Sequence, residues 1–477
     1  MTTPLAFLLA LLAAQALPDA PGGPIVYRVE LARAGDTFVS VSIEPPEPLV
    51  GPVTLVIPRA VPMGYSQQDY DRYVGGVTAT SDGGATLAVE REDGPRFRIG
   101  AAGTSVKRVA YRVDLRRMER EILGAADASR ARPRYASLLG YSVFGCLEGH
   151  EARPIRLDVL APPEWPVLTT LAPASPPPVA KATGAAAGFY ALADAQVVMG
   201  PELRVVRAPG PVPLFVAAYA EGPADPAHTA ALVARAMDAL VAYFGSAPFP
   251  HYTAVVEHLK PVSAEHRYGF SMEHLDSSHY FLGADEGVTR EMPETRQRRV
   301  LFNFVHHLAH AWIPKRAAGE GYIPFSWELA PVIDTIWFSE GFARYAAIEA
   351  LADALPAREG AVYRAAALDT LRATVAGMPR FIREMPLVPL SRVASTRYSE
   401  DFRTGRTLFS RGALLAAELD ERIRKETDGR TRLRDFFRHL VAWSAREKRG
   451  FRVDELPGLL REATGVEARD VWERALR

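Results

Sequence analysis

Val305-His306-His307-Leu308-Ala309-His310-Ala311-Trp312 is the stretch that decides how the rest of this 477-residue chain is read. Residues four apart on a helix share a face, so His306 and His310 can present two imidazoles to one metal ion. The pair alone carries little weight: the chain has 11 histidines, and a satisfied core or surface histidine is the commoner outcome. A second segment shifts the balance. Trp337-Phe338-Ser339-Glu340-Gly341-Phe342 is an apolar helix bearing one carboxylate, and burying a carboxylate without a partner is costly. A metal removes that cost. Two histidines, one carboxylate and an open position form a hydrolytic zinc site, which makes His306, His310 and Glu340 the candidate ligands.

Upstream of this pair of segments the periodicity is that of strands. Tyr27–Leu31, Phe38–Ile43, Val53–Ile57, Val109–Val113 and Ile155–Val159 place β-branched or aromatic residues at period two, with Pro and Gly clusters between them. Such punctuation predicts a β-sandwich-like domain. Ala172-Pro-Ala-Ser-Pro-Pro-Pro178 is expected to be a long stiff loop. After about Gly222 the period changes. Asp225-Pro226 is a helix start, Leu232, Ala236, Leu240 and Phe244 follow at helical spacing, and Gly245 stops the run. A strand is expected around Tyr252–Val256, and from Arg298 onward nearly everything has a helical pattern. Leu415, Leu419 and Ile423 form one core stripe, with Gly429 where a C-cap would stand; Leu433, Phe436, Phe437, Leu440 and Val441 form another. The expected organisation is a leader over 1–20, a β-rich domain over 21–210, a metal-binding domain over 211–355 and a helical domain over 356–477.

Composition narrows the function classes. At 48% hydrophobic residues the chain can bury two or three cores. Its 56 basic and 56 acidic residues balance, which leaves no electrostatic footprint for nucleic acid or an anionic membrane. Cys146 is the single cysteine, so neither a disulfide framework nor a cysteine metal site is available. Leu5–Leu12 is an apolar run followed by Ala14-Gln15-Ala16, the small-x-small pattern of a cleavage site. The run is too short to span a bilayer, and no later segment is long enough. The expectation is a secreted or periplasmic protein with no membrane span in its mature chain. A retained anchor or a misplaced start is the alternative, because the segment before the run lacks Lys and Arg.

The two chemistry-bearing segments sit among others that resemble the glycyl-aminopeptidase-type gluzincin metallopeptidases, peptidase family M61. These are more distant relatives of the large zinc aminopeptidases. The resemblance rests on Ser271-Met272-Glu273-His274, Trp312, Glu340-Gly341 and Arg411-Gly412-Ala413-Leu414. It extends to Tyr243-Phe244-Gly245, Pro248–Tyr252, Arg59–Tyr65, Pro162–Trp165 and Val198–Pro201, nearly the whole mature chain. It implies an α+β multidomain protein: a β-sandwich-like N-terminal domain, a thermolysin-like zinc metallopeptidase domain and a C-terminal helical domain. It further implies Zn2+ on His306, His310 and Glu340, and a peptide or protein N-terminus in the cleft, with Glu273, Met272 and His274 near it. Glu273 would take the α-amino group; a strand-end carboxylate paired with an arginine is the plainer alternative. The C-terminal PDZ domain usual in that family is not expected here.

The departures from the family pattern bear on activity. The position of the general base, expected to be Glu, holds His307. The position of the tyrosine that would donate to the oxyanion holds Phe409, and the paired glycines before Met272 are Phe270-Ser271. His307 has the ordinary pKa of a base at neutral pH, but an imidazole fills a carboxylate's place differently and can ligate or block the metal. Three readings stay open: a peptidase with an unusual base, a zinc-binding homologue with little hydrolysis, and a metal-free relic. His258, His266 and His274 are candidates to line the cleft, the first two more readily as solvated loop histidines. Tyr398 is a weak candidate for the missing hydroxyl, Lys315-Arg316 resembles a family feature and fits a helix C-terminal charge pair as well, and Glu257 has no assignment.

Overall fold

The computed structural model describes residues 22–65, 67–171, 180–323, 325–398 and 401–476. The expected leader and the proline-rich loop lie outside them. Each strand anticipated from period two forms, beginning with Ile25–Glu30, Phe38–Glu44, Val53–Val56, Arg108–Asp114 and Ile155–Leu160. Alternation along Arg108–Asp114 buries Val109, Tyr111 and Val113 and leaves Ala110 partly exposed and Arg112 exposed, as one wet and one packed face require. Seven strands make the largest sheet of this N-terminal domain, with two four-stranded sheets beside it and a common apolar core. Ile25–Glu30 pairs in parallel with Ile155–Leu160 and antiparallel with Phe38–Glu44, so the sheet is mixed.

A second sheet of five strands begins the next region, in the order Arg204–Ala208, Leu214–Ala220, Tyr252–Leu259, Ser277–Gly283 and Phe270–Glu273. Arg204–Ala208, expected within the N-terminal domain, is thus paired with the second sheet. The short strand Phe270–Glu273 is at its edge. Helix Pro226–Phe244 packs beside the sheet. The Asp225 side chain accepts from the His228 N–H, Pro226 occupies the first turn, and Gly245 closes the helix at φ +88°.

Two helices then carry the chemistry-bearing segments. The histidine helix, Glu294–Ala309, buries Leu301, Phe304, Val305, Leu308 and Ala309, a stripe at i, i+3, i+4, i+7 and i+8. His306 lies beside that stripe. Helix does not run on from Arg298 as the pattern suggested: the described residues between 311 and 335 contain no regular helix or strand, because Pro314, Gly319, Gly321 and Pro331 break the backbone ladder. The glutamate helix, Ile336–Asp353, is buried on nearly every side. It packs against the long helix Phe402–Glu426. That helix ends before Gly429, which adopts φ +74° two residues beyond the cap and donates its N–H to the Arg424 carbonyl at 2.8 Å. Among the described residues no helix is long and apolar enough to cross a membrane.

Buried charge joins the N-terminal domain to the rest. Asp194 meets Lys315 Nζ at 2.9 Å and His274 Nδ1 at 3.3 Å, all three buried. Burial alone would raise the Asp194 pKa, but Lys315 and His274 outweigh it and hold the carboxyl below its usual value. Glu257 pairs with the Arg130 guanidinium, accepts from the Tyr135 hydroxyl at 2.8 Å and lies 3.3 Å from His279 Nε2. Glu257 is therefore a junction residue.

The glutamate helix and the long helix touch backbone to backbone at Gly341 and Gly412. A Cβ on Gly412 would run into the Trp337 carbonyl oxygen, and one on Gly341 into the Gly412 Cα. Backbone on both sides leaves no flexible side chain to yield. Gly412→Ala is expected to destabilise the protein by about 3 kcal/mol or more in urea unfolding. A change within about 0.5 kcal/mol, the usual range for surface substitutions, would contradict this packing.

Candidate metal centre

His306, in the last turn of the histidine helix, and His310, its C-cap residue, project toward Glu340 on the facing helix. His306 Nε2 lies 3.4 Å and His310 Nε2 3.6 Å from Glu340 Oε2. Zinc–nitrogen bonds of 2.0–2.1 Å in a tetrahedron separate neighbouring donors by about 3.3 Å, so the three donors are spaced as ligands to one small ion. The tautomer of His310 also fits. Its Nδ1–H donates to the Ile313 carbonyl at 2.9 Å, which leaves Nε2, directed at Glu340 without a hydrogen-bond partner, as the atom available to a metal that displaces its proton. All three residues are buried.

The electrostatics point the same way. Burial drives His306 down to about 3 against the opposing pull of Glu340, so this imidazole is neutral and its lone pair is available. Burial would lower His310 too, yet the carboxylates of Glu273 and Glu340 raise it to about 9. Burial would raise Glu340, but His310 and then His306 hold it well below the carboxylate range. Glu273 is held at about 2, with His310 and the His307 side chain overcoming its burial. Two buried carboxylates thus share one imidazolium, and a divalent cation in place of the His310 proton balances both.

Tyr65 completes the set. It comes from an N-terminal-domain loop, and its hydroxyl donates to Glu340 Oε1 at 3.0 Å. The carboxylate oxygen that faces the histidines is Oε2, so Tyr65 orients the ligand by holding its other oxygen. The sequence marked Tyr65 only as the end of a segment with a family likeness.

A cleft of about 860 Å3 opens over these groups, walled by Phe270, Met272, Phe409 and Phe402 and reached by Glu273, His306, His307 and Arg344. Met272 and Glu273 lie on the edge strand, tied to the histidine helix where Asn303 Nδ2 donates to Ser271 Oγ at 3.2 Å. His307 is in the cleft, its Nδ1 at 3.8 Å from Glu273 Oε2. Phe409 is in the wall, and Tyr398 stacks on it with ring centroids 6.0 Å apart. Tyr398 also packs edge-on to Tyr65.

Other candidates are placed elsewhere. His274 is 1% exposed in the Asp194 junction, away from the cleft wall. His258 accepts from the Val288 N–H, and His266 bridges Ser263 and the Glu119 carbonyl; both are buried, neither solvated nor in the cleft wall. Lys315 is a buried junction cation rather than a surface charge, while Arg316 pairs with Asp276 at 2.6 Å. Arg344, four residues after Glu340, is a cleft residue that the sequence reading did not single out.

Removing an outer hydrogen bond to a metal ligand costs about 10–100-fold in affinity. Tyr65→Phe is expected to lower zinc affinity by that factor in a chelator competition, with the folded spectrum retained. Unchanged affinity would show that Tyr65 does not orient Glu340.

Comparison with known proteins places this geometry in a context. Residues 26–201 match the Peptidase M61 N-terminal domain. No curated protein sequence matches the chain. Among solved structures it is similar to an aminopeptidase N family protein from Idiomarina loihiensis: TM-score 0.81, 19% identity, covering 95% of this chain and 76% of that one. It is also similar to a mutant M1 zinc metallopeptidase from Deinococcus radiodurans bound to a Tyr-Ser-Ala substrate: TM-score 0.56, 16% identity, covering 95% and 93%. Yeast LTA4 hydrolase has TM-score 0.56 at 12% identity, covering 94% of this chain and 66% of that one. At these identities the likeness establishes the fold. Residues 26–201 thus match the Peptidase M61 N-terminal domain, and the chain as a whole has the fold seen in aminopeptidase N family and M1 metallopeptidase structures.

Proposed function

We propose that this protein is a zinc-binding, aminopeptidase-like homologue whose hydrolytic chemistry is impaired. The observation that carries the reading is the pairing of a fitted donor set, His306, His310 and Glu340, with a cleft that presents His307 and Phe409 beside it. Zinc bound there would supply Lewis-acid polarisation of a carbonyl. The chain's own residues would have to manage the protons and the oxyanion. His307 Nδ1 lies 3.8 Å from Glu273 Oε2, and an imidazole of different shape and reach stands where a carboxylate base is expected. Phe409 has no hydroxyl to donate. The Tyr65 hydroxyl is committed to Glu340. A general base is worth about 10²–10⁴-fold, and an oxyanion donor about 10²–10³-fold. The two losses need not multiply, because groups acting as a unit are non-additive.

The cleft supports peptide binding. Its apolar wall of Phe270, Met272, Phe402 and Phe409 suits an apolar side chain, and the edge strand offers backbone pairing to an extended segment. Glu273, buried and anionic, is the group to receive a substrate's α-amino charge. The structural relative bound to Tyr-Ser-Ala lends this reading its precedent. Location outside the cytoplasm belongs to the same proposal and rests on the leader pattern alone.

A second reading, an active aminopeptidase using His307 as base, is favoured by Tyr398, whose ring stands against Phe409 in the cleft wall and brings a hydroxyl-bearing side chain near the oxyanion position.

The test is release of the N-terminal residue from short peptides by zinc-loaded wild type, His307→Glu, Phe409→Tyr, the double variant and Tyr398→Phe. The expected result is wild-type turnover near background and a gain of about 10²-fold or more in the restored variants. Clear wild-type turnover that falls in His307→Glu and Tyr398→Phe would establish the second reading instead.

A further inference from the structure

His307 does more than stand where a carboxylate is expected. Its Nδ1 is buried without a hydrogen-bond partner, and the same is true of His310 Nε2. Glu273 Oε2 lies 3.8 Å from His307 Nδ1. Ligand atoms of Glu273, His307 and His310 all fall within 4.8 Å of one another, as those of His306, His310 and Glu340 do. The two groups offer the same donors, two imidazoles and a carboxylate, and they share His310.

We propose that Glu273, His307 and His310 form a second seat for a divalent transition-metal ion, adjacent to the seat of His306, His310 and Glu340 and exclusive of it. Exclusion follows from the tautomer. His310 Nδ1 carries the proton given to Ile313, so Nε2 has a single lone pair and serves one ion at a time. The carboxylate lies 3.4 and 3.6 Å from its histidines in the first seat, and 3.8 Å from His307 in the second. His307, with its side chain 15% exposed, has room to close that difference. Ions with an affinity for imidazole and carboxylate, zinc, cobalt(II) or copper(II), suit both. An ion in the second seat takes up the charge of the Glu273 carboxylate and so competes with an ammonium group for it. This inference rests on the zinc-binding reading above.

The full-length protein, stripped and reloaded with cobalt(II), provides the test through stoichiometry, chelator competition and visible absorption. Wild type is expected to bind one ion per chain. Glu340→Gln, and independently His306→Ala, should still bind one ion, weakened by no more than about 100-fold and with a shifted visible spectrum. Adding His307→Ala to either should weaken binding by about a further 100-fold, while His307→Ala alone should stay within a few-fold of wild type. If Glu340→Gln binds no better than Glu340→Gln/His307→Ala, and His306→Ala behaves likewise, the second seat does not exist and the zinc-binding reading stands. Two ions bound together on the wild type would overturn the exclusion. No ion on the wild type would overturn both the inference and the reading beneath it.

Discussion

The Glu340 carboxylate is the constraint on which the site depends. It is buried on a helix that is itself buried, so its charge has to be met by groups in fixed places. Two imidazoles meet one oxygen and the Tyr65 hydroxyl meets the other. The next residue, Gly341, presses against Gly412, which fixes both the depth of the carboxylate and the position of Phe409 one turn earlier on the long helix. Ligand, orienting hydroxyl and cleft wall are thereby set by one packing arrangement.

That arrangement makes the N-terminal domain part of the site. Tyr65 reaches Glu340 across 275 residues of sequence. Asp194 and Arg130, from the same domain, neutralise Lys315 and Glu257 at the base of the candidate metal site's region. Breaking a buried pair leaves an uncompensated charge and costs about 3–5 kcal/mol, so these contacts hold the two regions in register. His274 and His279 belong to these junctions, which explains why a stretch rich in histidine sends so few of them into the cleft.

How much of this was legible in the sequence depends on the distance over which each feature acts. The strand alternation, the Asp225-Pro226 helix start and the i, i+4 spacing of His306 and His310 are local, and the structure contains them. Glu340 was reachable because a carboxylate in an apolar helix demands a partner. Tyr65, Arg344, and the burial of Lys315 and His258 were not reachable, because periodicity reports which face a residue shares and not what lies opposite it. The break after His310 was signalled by prolines and glycines that the helical composition on either side outweighed.

On the proposed reading, a donor set that fits a metal, next to His307 and Phe409, keeps the means of binding while altering the means of reaction. Its central claim is that His306, His310 and Glu340 hold zinc. X-ray absorption at the zinc edge of the purified protein tests it most directly. The account predicts one zinc per chain, with two imidazole nitrogens at about 2.0–2.1 Å and a carboxylate oxygen in the first shell, and loss of that shell in His306→Ala/His307→Ala. A protein that takes up no stoichiometric zinc, or holds it without imidazole nitrogen in the first shell, would contradict it.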